Sequence, residues 1–406
     1  MKNKIYYQSF IFILLIVSGS NGLYAQWPQW RGINRDGIST EENLMKEWPA
    51  SGPKRLWVAN SIGDGFSSAI GNGNAVFTTG RIDSLEYITA IDLNGKVLWQ
   101  KAFGRAHNGE WPESRCTPAL YKDKLYAFSC FGDLACLDSK TGSILWKFNN
   151  NEKFGAVASP VYSFCESPLV VDDKVILTAA GKQTTLVALN YLTGETIWKS
   201  ESLNDTCDYV SPLIIEYKDK KMIFAGTRKF YFAADLNTGK IFFKTNSLSG
   251  ILPTPVNKTS VYCNDGSMGK LFSYNPEKND FSFTWCDSVP GSYMGGAVTV
   301  GDKIFGSNRN ASIGLTCVDI NTGKLVFSNT AIKESSIIAT KDRLYTYDGY
   351  NGKVSLLKLT GSNVEIVGSF RVSIGTGPYL AHMSIAKGML FVRHGKTLIA
   401  YDITQS

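Results

Sequence analysis

Histidine occurs only three times in the 406 residues of this chain. There is no Cys-Cys dipeptide, no Cys-x-x-Cys with an accompanying histidine, no His-Glu-x-x-His, no Gly-x-Ser-x-Gly and no phosphate-cradling glycine loop. These absences argue against a structural zinc site, a helix-borne zinc protease, a serine-hydrolase elbow and a nucleotide-binding P-loop. Basic runs are missing as well. The formal charge of +7 is scattered along the chain, so no nucleic-acid partner is expected. With 44% hydrophobic and 19% charged residues the chain is neither a disordered polymer nor a coiled coil.

Long apolar runs are confined to Phe10 to Val17, which follows Lys2 and Lys4 and gives way to the small polar stretch Ser18 to Gly22. That order predicts a secretory signal peptide over residues 1–25, cleaved between Ala25 and Gln26. The run is too short to span a bilayer comfortably and no second one follows, so no transmembrane helix is expected in the mature chain. No cysteine follows the run to take a lipid anchor, and the expected location is periplasmic or secreted. An oxidising compartment permits disulfides among the eight cysteines, in too many pairings for sequence to choose. Cys130 and Cys136 flank the turn Phe131-Gly132-Asp133 and are the pair to test first; the alternative is that most cysteines are small buried hydrophobes.

What the chain has in quantity is glycine, 38 residues, and aromatic side chains, 12% of the total. Both belong to one recurring pattern: an apolar alternation ending in Asp or Asn, a Thr-Gly turn, then a short strand carrying Trp or Phe. Asp138 through Thr141-Gly142 to Trp146 is the clearest copy. Others run from Asn190 to Trp198, from Asp235 to Phe243 and from Asp319 to Phe327, with a shorter copy from Asp92 to Trp99. Alternation puts apolar residues on one strand face, Asp or Asn caps the turn, and glycine supplies a positive φ. The aromatic residue offers a flat surface between neighbouring sheets.

The copies recur roughly every 44 residues, room for four short strands, and each predicts one blade of a β-propeller. The ends of the chain complement one another. Leu398 to Asp402 stops before any aromatic strand, whereas Arg55-Leu56-Trp57-Val58 has no hairpin before it. The expected fold is therefore all-β: an eight-bladed propeller of four-stranded antiparallel blades over residues 54–406. Its ring is closed by the N-terminal strand in the last blade, leaving no open edge. Residues 26–53 form a lead segment, whose Trp27, Trp30 and Trp48 are expected to pack on the outside or on one face of the ring.

The Asp-x-x-Thr-Gly-x-x-x-Trp hairpin resembles the pyrroloquinoline-quinone (PQQ)-like propeller repeat of quinoprotein dehydrogenases and of the outer-membrane assembly lipoprotein that scaffolds β-barrel insertion. The segment Trp27-Pro28-Gln29-Trp30-Arg31-Gly32-Ile33-Asn34-Arg35-Asp36-Gly37 is similar to the opening of a group of exported bacterial propellers of unknown function. That likeness extends to Ser114 to Pro118, Glu166-Ser167-Pro168 and Ala381-His382. For a quinoprotein the resemblance implies an adjacent Cys-Cys disulfide, a calcium held by Glu and Asn, and an Asp base. The chain lacks the first and offers only Glu166 as an acidic ligand, so no cofactor is assigned; PQQ with calcium remains a test by reconstitution.

Aligned backward from the turns, Ser67, Thr117, Ser167, Ser211, Thr254, Gly296, Ser336 and His382 form one column expected to line the axial channel. Small inner-strand residues whose hydroxyls bond backbone or water account for most of it; His382 is the exception in size. Arg115, Glu166, Tyr209 and Glu334 lie one or two residues upstream, at one channel mouth. There Arg115 and Glu166 either hold a polar or anionic ligand or neutralise each other, and Tyr209 is placed to stack on a ring. Two functions follow from the residues. The first is a monomeric binding or scaffolding propeller of the envelope, for a protein partner or a small polar ligand. The alternative is a quinoprotein-type oxidoreductase or a hydrolase at the Arg115, Glu166, Tyr209 and His382 rim.

Overall fold

The computed structural model describes residues 27–246, 251–264, 268–287 and 295–405. The predicted leader and its cleavage site lie outside them. The described strands form eight four-stranded antiparallel sheets arranged as the blades of one propeller. Blade 2 is representative, with Ala119–Tyr121 innermost, then Lys124–Phe128, Asp133–Asp138 and the outermost Ile144–Asn149. Blade 8 contributes Ser384–Ala386, Met389–His394 and Thr397–Asp402, and its outer strand is Lys54–Ala59, with Val58 opposite Ile399 and Trp57 opposite Ala400. The closure expected from the chain ends is thus the one observed.

The recurring hairpin works by local chemistry. In blade 2 the Asp138 Oδ1 accepts the Lys140 and Thr141 amides at 3.0 and 2.9 Å and the Thr141 hydroxyl at 3.0 Å. Asp235 and Asp319 do the same for Thr238 and Thr322. This carboxylate-capped turn leaves the glycine at positive φ, where its missing Cβ admits the tryptophan of the preceding blade. Trp57 lies on Gly95, Trp99 on Gly142, Trp146 on Gly194, Trp198 on Gly239 and Trp285 on Gly323. Four of these indoles also donate Nε1–H to a carbonyl of the next blade: Trp57 to Leu93, Trp146 to Tyr191, Trp198 to Leu236 and Trp285 to Ile320. The sequence repeat is therefore a docking joint between consecutive blades.

Gly239 tests that joint. Its φ is +72°, and a Cβ there would meet Trp198 at 2.3 Å, whereas Gly301, at φ +62°, has nothing within 4 Å. Gly301→Ala is expected to cost only the left-handed backbone term, about 1 kcal/mol. Gly239→Ala adds displacement of the indole and is expected to cost about 2–3 kcal/mol in urea unfolding. Equal losses at the two positions would mean that the indole is not wedged on the turn.

A second closure reinforces blade 8. Arg393, fully buried, donates from Nη1 to Ser67 O, Ser67 Oγ and Thr78 Oγ1 and from Nη2 to Gly63 O, at 2.7 to 3.2 Å. These acceptors belong to blade 1 and the segment leading into it. The last blade is thus bolted to the first by a guanidinium as well as by a shared strand.

Candidate functional site

The residues of the predicted column lie in, or a few residues before, the innermost strands of their blades. Its hydroxyls are already engaged. The Ser68 amide donates to Thr117 Oγ1 at 2.9 Å, the Thr117 amide to Ser167 Oγ at 3.1 Å, and the Ser167 amide to Ser211 Oγ at 3.0 Å. Each hydroxyl therefore caps a backbone group of the blade before it. Thr254 donates to Ala297 O and Ser336 to Ala381 O, at 3.2 and 3.3 Å. Ser67 bonds Thr79 O and Arg393. Small polar residues recur here because a blade-to-blade hydrogen bond at the crowded axis needs a short hydroxyl arm.

The lead segment fills the throat that this ring encloses. Trp48 packs on the outermost strand Val364–Arg371, with Phe370 at 5.4 Å, in keeping with the expected outside packing; residues 27–37 differ from it, because two arginines run inside. Arg35 is 1% exposed and donates to the carbonyls of Ser167 and Pro212 at 3.0 and 2.8 Å, to Pro168 O, and to Gln29 Oε1 at 3.0 Å. Arg31, equally buried, donates to Gly295 O at 2.8 Å and to Ala297 O. Trp30 meets His382 edge-on at 5.5 Å. Backbone bonds tie Trp27 O to Gly71 N, Pro28 O to Leu120 N, and Gly37 to Ala339. The lead therefore touches blades 1, 2, 3, 4, 6, 7 and 8, as a hub would. The motif's glycines have a mechanical role: a Cβ on Gly37 would lie 2.8 Å from Arg31 Nη2 and 3.0 Å from Val298. Burial lowers Arg35 to about 9 and Arg31 to about 10, so both remain cations at neutral pH.

Of the residues predicted for the mouth, Arg115 and Tyr209 are brought together around Cys165, and Glu166 is turned inward. Glu166 is 2% exposed, and both of its oxygens accept the Thr178 amide at 3.0 Å. Burial pushes it up to about 8, opposed by the Thr178 bonds and by Arg35. Its cation is thus Arg35 of the lead, and not Arg115, so the alternative in which Arg115 and Glu166 neutralise each other does not hold. Arg115 is clamped between the carbonyls of Trp111 and Tyr162, with Cys130 Sγ and Cys165 Sγ at 4.0 and 3.9 Å from Nη1. Burial disfavours its charge, but the facing sulfurs of Cys165 and Cys130 outweigh this and raise its pKa. Tyr209 meets Tyr162 at 4.6 Å. Glu334 stands apart, accepting from Tyr350 at 2.8 Å beside a cavity of about 10 Å³, enough for about one water.

Of the two expectations for the cysteines, the structure fits buried hydrophobes, with six of the eight buried, and not the Cys130–Cys136 pair. All eight are free thiols, and Cys136 faces Tyr126 across its strand pair. Cys130 lies beyond the last paired residues, Phe128 and Leu134, so the turn does not bring it opposite Cys136. Its partners are Glu113, whose carbonyl accepts from its sulfur at 3.7 Å, and Glu86, whose Oε1 accepts the Cys130 amide at 2.7 Å. Neither was a predicted site residue, and no spacing pattern marks them.

Residues 84–329 match the family model described as outer membrane protein assembly factor BamB. The chain belongs to this family of PQQ-like propellers. The BamB of Moraxella catarrhalis superposes with a TM-score of 0.60 at 15% identity, covering 87% of this chain and 98% of that one. A europium-containing methanol dehydrogenase gives 0.63 at 13% identity, covering 91% and 90%. At such identities the likeness is one of fold alone. Subunit 1 of the cytochrome c methanol dehydrogenase of Methylorubrum extorquens is 27% identical over 170 residues, 37% of this chain and 25% of that subunit. The chain thus spans a quarter of that relative's length. Against the BamB family's shared architecture, the hub formed by Trp27 to Gly37 lies outside the matched residues. Among the described residues no helix is long and apolar enough to cross a membrane.

Proposed function

We propose that this propeller is an exported scaffold of the cell envelope that holds a protein partner on the face carrying the loops around Trp111 and Val161. The observation that carries the reading is the filled throat: the axis is occupied by the chain's own Trp30, Arg31 and Arg35, and the mouth residues are satisfied internally. On the same side, Trp111, Phe131, Val157 and Val161 are each more than two-fifths exposed. Arg115 links the Trp111 and Tyr162 loops, and the Ser163 hydroxyl and Phe164 amide bond Cys130 O beside Phe131. Trp111, Phe131 and Val161 thus belong to one patch, of a kind that marks an interaction site. Membership in the BamB family supports a protein partner.

The residues fit a PQQ-calcium group poorly. Glu166, the one acidic ligand the sequence offers, is held near neutrality by burial, has both oxygens on a backbone amide, and has a guanidinium as its nearest charge.

Trp111→Asp combined with Phe131→Asp is expected to abolish co-purification of partners from native envelopes with tagged protein, at unchanged thermal stability. The same proteins recovered from wild type and variant, or none recovered from wild type, would overturn the reading. A shifted absorption spectrum and dye-linked alcohol oxidation after reconstitution with PQQ and calcium would replace it with the oxidoreductase.

A further inference from the structure

We infer that Asn108, in the exposed loop that carries Trp111, is a site of spontaneous deamidation, selected by the fold from several Asn-Gly pairs of equal sequence. In this reaction the backbone amide after an asparagine attacks its side chain, and a following glycine has no Cβ to stand in the way. Four such pairs lie among the described residues: Asn72-Gly73, Asn94-Gly95, Asn108-Gly109 and Asn351-Gly352. Three are held in turns that restrain one of the reacting groups. Asn72 Oδ1 accepts the Asn74 and Ala75 amides, each at 2.9 Å. The Gly95 amide donates to Asp92 O at 3.1 Å, under the Trp57 indole. At the fourth pair both groups are engaged: the Gly352 amide donates to Asp348 O at 3.1 Å, Asn351 Nδ2 to Asp348 Oδ2 at 2.8 Å, and Asn351 Oδ1 accepts the Lys353 amide at 2.9 Å. Asn108 and Gly109 are both exposed, and among the described residues neither the Asn108 side chain nor the Gly109 amide has a hydrogen-bond partner. Ring closure within one residue pair is intramolecular, so freedom to reach the attacking geometry decides its rate.

His107 supplies the base. A Cβ on Gly109 would lie 2.3 Å from His107 Nε2, so the imidazole packs against the glycine. Burial, and after it the charges of Arg115 and Arg81, lower the His107 pKa from its ordinary value, which leaves a neutral proton acceptor beside the amide at neutral pH. The Gly109 nitrogen gives its proton to the imidazole and attacks Asn108 Cγ. An N–C bond forms, the Cγ–Nδ2 bond breaks, and ammonia leaves with the proton that the imidazole returns. Water then opens the cyclic imide at either carbonyl, yielding aspartate or isoaspartate. Both products place a new carboxylate just before Trp111, and isoaspartate also lengthens the backbone by a methylene. Arg115 holds the Trp111 carbonyl, so the change falls on the exposed Gly109-Glu110 turn and on the indole.

A slow, one-way gain of charge on the partner face is the consequence that rests on the partner reading; the chemistry does not, and it is read on the purified protein alone. The protein is aged at neutral pH, sampled over weeks and digested with trypsin at mildly acidic pH. The peptide Ala106 to Arg115 is expected to gain the mass by which a hydroxyl exceeds an amino group, and to separate into aspartate and isoaspartate forms. That gain should be at least about tenfold faster than in the peptides carrying Asn72, Asn94 or Asn351. In guanidinium chloride the four rates should converge, because the turns that hold the other three are gone. Asn108→Gln is expected to abolish the gain and His107→Ala to slow it severalfold, with the other three peptides unchanged. Native Asn108 converting no faster than the turn-held pairs, or the same ranking surviving in denaturant, would overturn the proposal. A rate unchanged in His107→Ala would overturn the assignment of the base.

Discussion

Arg35→Ala is expected to lower the unfolding free energy by about 3–5 kcal/mol, the largest loss of any single side-chain truncation in the lead. The guanidinium sits at the axis and donates to Ser167 O, Pro168 O and Pro212 O, on two different blades, while Gln29 holds its Nε. Truncation leaves carbonyls facing a void in a throat sealed by the rest of the lead, and each unpaired buried acceptor costs on the order of 1–3 kcal/mol. Against a net stability of about 5–15 kcal/mol, that is a large fraction. Arg35→Lys keeps the charge, but a point cation cannot span carbonyls on two blades, so it is expected to recover less than half the loss. Arg371, exposed and with its guanidinium on Asn351 O, is the control, with an expected change within about 0.5 kcal/mol. Urea midpoints decide: Arg35→Ala within about 1 kcal/mol of wild type would mean the lead is a passenger and not a hub.

The contrast between hub and blades explains what the sequence makes legible. The Asp138-Thr141-Gly142-Trp146 joint is readable because it is local and repeated: the carboxylate reaches amides two and three residues on, and every copy restates the rule. Ring closure is readable because the first aromatic strand and the last hairpin are each incomplete alone. The hub is different. Arg31 and Arg35 bind backbone carbonyls at Gly295, Ala297, Ser167, Pro168 and Pro212, and a carbonyl carries no residue signature. The motif around them was recognisable, but its destination was not. The same limit applies to Cys130, whose neighbours come from the segment entering blade 2 and from Glu86 of blade 1, across gaps that alternation does not encode. The expected column varies in phase from blade to blade. Thr117, Ser167, Ser211 and His382 precede their inner strands, while Thr254 and Ser336 lie within theirs.

The hub also sets a pH dependence, and Glu166→Gln is expected to remove much of it. The Glu166 carboxyl is raised from 4.5 to about 8 in the folded protein, mainly by burial. Below about pH 4.5 it is protonated folded or unfolded and contributes nothing to the slope. Between 4.5 and 8 the folded chain keeps a proton that the unfolded chain releases, so stability falls as pH rises, by a few kcal/mol over the window. Glu86, raised well above its ordinary value by burial, acts in the same direction. Cys130 acts oppositely: its pKa is lowered in the fold, so its contribution grows with pH between about 6 and 9. Arg35, lowered to about 9 by burial, stays charged in both states across the carboxylate window and adds no slope there. Subtracting wild type from Glu166→Gln cancels these other groups and isolates one carboxyl. The amide matches the protonated acid in shape and can still accept the Thr178 amide. The variant should therefore equal wild type near pH 4.5 and exceed it by about 2 kcal/mol or more at pH 8.5, read from urea unfolding at each pH. In an Arg35→Ala background the gap should widen, because the cation that favours the ionised carboxylate is gone. Parallel stability curves for wild type and Glu166→Gln from pH 4.5 to 8.5 would show that Glu166 is ionised in the fold, with its charge met by Arg35 at no net penalty.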